Sequence, residues 1–167
     1  MIVQRLFRQA LRPFKHCLHL IGYLEGAGGW SFTPLQQAMV EAVLDTLDPH
    51  VARTVEEQLR HRFWRDDHNE GRVNPIFFYD PEDVPKITDP IFEDCLFRVR
   101  LRVDDIRQVA HVTFYRRRIF SVEFKKPKEF FEGKAIEIEG VELGRTSATI
   151  TRTINRAEHG RKADANP

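Results

Sequence analysis

The sequence predicts an α+β fold in which N-terminal helices pack on one face of an antiparallel, meander-like β-sheet. Two observations predict it. Up to about residue 64, apolar residues recur at three- and four-residue steps. From residue 75 onward they alternate with polar ones, as half-buried strands require because successive side chains leave opposite faces. Helices first and strands later describe a helical layer on an antiparallel sheet, without βαβ crossovers. A chain of 167 residues with 13 Phe, 2 Trp and 3 Tyr has apolar bulk for one such core and little room for a second. The expected organisation is one domain over residues 1–154, with an amphipathic basic helix at 1–24, a helical pair at 33–64 and an antiparallel sheet at 75–154. A loose polar tail follows at 155–167.

In the first segment Val3, Phe7, Ala10, Phe14, Leu18 and Ile21 form one apolar stripe, while Arg5, Arg8, Arg12, Lys15 and His19 follow the same spacing on another side. Pro13 predicts a kink or a split. Such an acid-free helix fits a packed position with a solvated basic side, attachment to an anionic membrane, or an organelle presequence. Its basic residues break the pattern of a secretory signal, and no run in the chain nears the roughly 20 apolar residues of a spanning helix. Gly26, Gly28 and Gly29 predict a flexible break, and no GK[ST] follows to make it a phosphate loop. Thr33-Pro34, with Gln36 completing a capping box, predicts a helix start, and Leu35, Met39, Val43 and Leu47 its buried stripe. Asp48-Pro49 repeats the signal, with Val51, Val55, Leu59 and Phe63 as the next stripe. Residues 65–74 (RDDHNEGRVN) read as a polar loop.

Residues 76–79 (IFFY) predict a short strand, and Pro81, Pro85 and Pro90 make 80–90 an extended loop. Strands are expected at 95–103, 109–115 and 119–124, and their short connections favour a meander. The stretch AIEIEGVEL alternates around a turn at Glu139-Gly140, and 147–154 forms a last, threonine-rich strand. Alternation assigns Phe97, Val99, Leu101, Val103, Ala110, Val112, Phe114, Phe120, Val122 and Phe124 to the core face. The opposite face then carries Arg98, Arg100, Arg102, His111, Thr113, Tyr115, Ser121 and Glu123, with Ser121 in solvent.

The net charge of +1 conceals an uneven distribution, since residues 25–95 hold 15 acids against 6 basic residues and residues 96–131 hold 10 basic residues against 4 acids. Arg98, Arg100, Arg102, Arg116, Arg117 and Arg118 are therefore the candidate binding residues, forming a basic sheet face with Lys125, Lys126 and Lys128 beside it. An acidic protein surface is the first partner this suggests, and RNA the second. On the RNA reading His111 or Glu123 takes the 2′-hydroxyl proton while Arg100, with Tyr115 nearby, steadies the phosphate. This residue palette, with helices before a meander, resembles that of small ribonuclease toxins. One domain with uneven charge and no catalytic motif is similar in general look to bacterial immunity-type proteins, which neutralise a toxin by covering its site. That resemblance implies a non-catalytic protein binder, and two lone, reduced cysteines predict a cytoplasmic one. No cofactor or metal is expected: Cys17 and Cys95 lie far apart, the His16/His19 pair lacks a third ligand nearby, and Asp66, Asp67, His68 and Glu70 read as a solvated loop.

Overall fold

The computed structural model describes residues 28–69, 71–77 and 83–146, and these form two helices on one face of a seven-stranded, wholly antiparallel open sheet. The expected helix at 1–24 with its membrane reading, the His16/His19 pair, Cys17, the strand at 147–154 and the tail at 155–167 lie outside the described residues.

Helix α1 (Pro34–Leu44) begins where its capping box dictates. The Gln36 amide donates to Thr33 Oγ1 (3.4 Å) and the Thr33 amide to Gln36 Oε1 (2.9 Å), so two end donors are satisfied reciprocally. Helix α2 (Pro49–Arg60) starts at Asp48, whose carboxylate accepts from the His50 amide (2.8 Å). Met39, Val40 and Val43 of α1 and Val51 and Val55 of α2 turn into the core. Phe63, expected on the α2 stripe, instead opens the next strand.

The strands are β1 (Gly28–Gly29), β2 (Phe63–Asn69), β3 (Arg72–Phe77), β4 (Asp94–Val103), β5 (Ile106–Tyr115), β6 (Arg118–Phe124) and β7 (Ile136–Thr146), in the order β1-β2-β3-β6-β5-β4-β7. The meander β4-β5-β6 is as the alternation predicts. Cys95, Phe97, Val99, Leu101 and Val103 are buried in β4, facing Ala110, Val112 and Phe114 of β5, while Arg98, Arg100 and Arg102 stay exposed. Phe92, in a 3-10 turn over Pro90–Glu93, closes the core with rings 6.2 Å from Phe97 and 5.2 Å from Phe114.

Four expectations are corrected. Residues 65–69 and 72–74 are not a loop: they belong to strands β2 and β3, which pair antiparallel and whose polar side chains satisfy one another along the strands, Arg65 with Asp67 (2.8 Å) and Arg72 with Asn74 (3.3 Å). The reversal uses Gly71 at φ +74°, pressed so closely on the Phe124 carbonyl that a side chain has no room. The supposed break at Gly28–Gly29 is an edge strand, and Gly28 is required there because a Cβ would strike the Trp64 ring. Residues 136–146 form one strand along β4, and Glu139 is a bulge rather than a turn. Finally, Phe120 is 37% exposed because the β5–β6 register shifts between Thr113 and Phe114, whereas Ser121, expected in solvent, has no exposure and donates to Glu123. This bulge places Phe120 and Ser121 in succession on the outer face between core residues Ile119 and Val122.

Candidate interaction surface on the outer sheet face

The helices cover one face of the sheet, and every sequence-predicted site residue belongs to the other face or to the β5–β6 turn. The three arginines of β4 are not a bare cationic row. Arg98 lies 3.8 Å and Arg100 3.3 Å from Glu142 of β7; Arg102 Nε donates to Glu139 (2.7 Å), which Arg107 also approaches at 3.8 Å. The Arg102 hydrogen bond holds the Glu139 carboxyl below the usual carboxylate range, and the Arg102 guanidinium is raised in return. This end of the face is an arginine–glutamate ladder, a normal device of a solvated antiparallel sheet.

His111 and Glu123 stand directly opposite each other on β5 and β6, and Arg98 faces His111 from the other side. Glu123 accepts from Ser121 Oγ (2.7 Å) and pairs with Arg72 (3.3 Å), so its carboxylate is engaged within the sheet. Burial lowers the His111 pKa, Arg98 and Lys125 act in the same direction, and Glu123 opposes them. Arg100 faces Val109 and Gly140, two cross-strand pairs farther along. Tyr115 is four residues from His111 on the same strand, about 13 Å at the usual rise of a β-strand. The four residues of the RNA-cleaving reading thus share a face without converging on one point. Among the described residues no group of three or more His, Cys, Asp or Glu is placed to hold a metal ion, and no helix is long and apolar enough to cross a membrane.

The other end of the face has a different character. Tyr115 and Phe120, 44% and 37% exposed, bring their rings to 5.5 Å at a tilt of 59°. The Arg116 guanidinium lies over the Tyr115 ring (5.3 Å) and that of Arg72 over Phe120 (5.4 Å). Arg116 and Arg117 form a two-residue hairpin turn with both φ values positive, +51° and +63°, positions that favour Asn or Gly. The turn is held from behind: the Arg116 amide donates to the Glu93 carbonyl (2.8 Å) and the Arg117 amide to the Phe92 carbonyl (2.9 Å). Buried Gln58 of α2 donates to the Pro85 and Arg117 carbonyls (2.9 and 3.1 Å) and accepts from the Ile119 amide (3.0 Å). Arg117 pairs with Glu93 (3.0 Å), and Arg118 donates to the Val84 carbonyl (2.9 Å). Of the six candidate binding arginines, Arg116 stacks on an aromatic ring and the other five contact carboxylates or a carbonyl.

Sequence reasoning assigned Phe120 to the core and Arg72 to a polar loop, and so missed both as residues of this sheet face. A signal existed in Ile119-Phe120, where two large apolar residues in succession break the alternation. The chain matches no family model, no curated protein and no solved structure.

Proposed function

We propose that this chain is a non-catalytic protein-binding domain whose contact surface is centred on Tyr115, Phe120 and Arg116, in the manner of an immunity-type protein that covers a partner's acidic site. One observation carries this reading: a β-bulge turns Phe120 out of the core and sets it beside Tyr115, next to a strained turn that presents Arg116. Bulges re-aim side chains, and strained backbone persists where a function retains it. Tyrosine and arginine are also residue types that dominate binding energy at protein interfaces. An acidic partner side chain facing Arg116 supplies the complementary charge, and an apolar one fills the notch between the two tilted rings.

Affinity capture with the full chain, followed by the variants Phe120→Ala and Arg116→Glu, tests the proposal. Loss of the same partner from both variants, each still folded, is the expected outcome. A partner retained by both places the contact elsewhere.

The exposure of Phe120 also favours single-stranded RNA, since two aromatic rings on a sheet face can stack bases. The 59° tilt argues against it, because successive bases stack on rings lying near one plane. Titration of RNA at low salt, where phosphate attraction is strongest, separates the two readings.

A further inference from the structure

A second surface lies at the β7 edge of the sheet and on its helical side. Strand β7 ends the strand order, so among the described residues its outer edge pairs with no other strand. Such an edge presents a row of backbone N–H and C=O groups to an incoming chain. Two irregularities flank its central part, one at Glu139 and one beyond Leu143. Between them Gly140, Val141, Glu142 and Leu143 keep unbroken register with Arg100, Val99, Arg98 and Phe97. Val141 and Leu143 of this regular stretch face the helical side and line a cleft of about 320 Å³, whose floor and walls include Leu47, Val51, Ile91 and Phe97. Leu143 is 47% exposed, the highest value among the large apolar residues of the strands apart from Ile106.

The charge at this cleft has one sign. Asp48 and Asp89 both line it, and among the described residues no basic one does. One Asp48 oxygen accepts from the His50 amide and one Asp89 oxygen from the Ile91 amide (2.8 and 2.9 Å), which leaves each carboxylate a second oxygen. A straight edge segment beside an apolar cleft is the arrangement of strand addition, in which backbone hydrogen bonds give affinity and the cleft selects alternate side chains.

We infer that β7 accepts an extended segment of a partner protein, with one aliphatic side chain seated in the cleft and a lysine or arginine two residues away facing Asp48 and Asp89. The two-residue spacing follows from the strand, where side chains i and i+2 share a face. The four regular residues of β7 limit the added ladder to a short one. This surface is separate from the Tyr115–Phe120 end of the sheet and stands without it.

The test uses the full chain and a capped octapeptide probe, TTTLTKTT, followed by amide chemical shifts in two-dimensional NMR. The expected result is saturable shifts at residues 140–143 and at Leu47 and Ile91. TTTDTKTT, which lacks the aliphatic side chain, and TTTLTETT, which reverses the charge, should both bind more weakly. Asparagine still caps a helix, so the double variant Asp48→Asn, Asp89→Asn stays folded. It should weaken the lysine peptide by up to about fivefold per carboxylate and erase the preference for lysine over glutamate. Tyr115→Ala should leave the probe's affinity unchanged, which keeps this result apart from that for the other surface. Absence of shifts at 140–143 with millimolar peptide, including the case in which the rest of this chain already covers the edge, overturns the inference. So does an unchanged lysine preference in the double variant.

Discussion

Alanine in place of Phe120, compared with alanine in place of Phe114, separates the outer face from the core by a measurable margin. Phe114 has no exposure, and its ring is enclosed by Phe92 and Phe97 at 5.2 and 5.8 Å. Its truncation loses a whole buried side chain and leaves a cavity, a change that costs about 3–5 kcal/mol. Phe120 keeps 37% of its surface in solvent, so folding removes under two thirds of that side chain from water. Full burial of a phenylalanine is worth about 1.5–3 kcal/mol, which scales here to about 1–2 kcal/mol, and water fills the space with no void term. Urea unfolding with unchanged slope, read as a shift in midpoint, measures both values. Equal losses for the two variants would mean that alternation runs unbroken through β6 in solution. The bulge, and the surface proposed on it, would then both fall.

Three further outcomes are expected. Changing the strained turn by Arg116→Asn with Arg117→Gly should raise stability by about 1 kcal/mol, because Asn-Gly adopts two positive φ values more readily, while partner binding falls; thermal melts and capture assays measure the two effects. Burial holds the His111 pKa below the usual 6.5, so around that pH the folded chain binds fewer protons than the unfolded one. Its contribution is full above 6.5 and declines as pH falls from there through the lowered native value. His111→Gln should flatten that slope, and an NMR midpoint at or above 6.5 would refute the assignment. The Cys95 thiol, pushed up to about 12 by burial and then by Asp94 and Asp89, should resist iodoacetamide at pH 8 until the chain is unfolded.

The sequence made the α+β class and the β4-β5-β6 meander legible because both rest on periodicity, and burial selects period two strongly in central strands. The helix starts at Thr33-Pro34 and Asp48-Pro49 were readable for a local reason, since capping chemistry is complete within three residues. Strands outside the central meander escaped the same reading. Residues 65–74 show little apolar alternation, as a hairpin near the sheet margin can place polar residues on its exposed positions when they pair with one another. Glu139-Gly140 resembled a turn by composition, but the ten residues of β4 offered a long partner, and a bulge absorbed the mismatch at less cost than a reversal. The arginine row was legible as a set of positions on one face. Its carboxylate partners came from β7, a strand more than 30 residues away in sequence, and charge counts along the chain cannot foresee such pairing. Phe120 was misplaced because register was extended through an irregularity that only cross-strand geometry reveals.

Gln58 gives the molecule an internal reporter. Its amide group reaches from α2 to the Pro85 and Arg117 carbonyls and takes the Ile119 amide, so helix, loop and hairpin meet at one buried side chain. Local opening of the β5–β6 turn must break these bonds, and each would leave a polar group stranded in the interior. The turn and α2 therefore belong to one cooperative unit, and the Ile119 amide should exchange its hydrogen with solvent only when that unit opens. A ligand on Arg116 should then slow hydrogen exchange inside a helix it never touches. The turn is already ordered before any partner arrives, so little conformational entropy remains to be lost on binding.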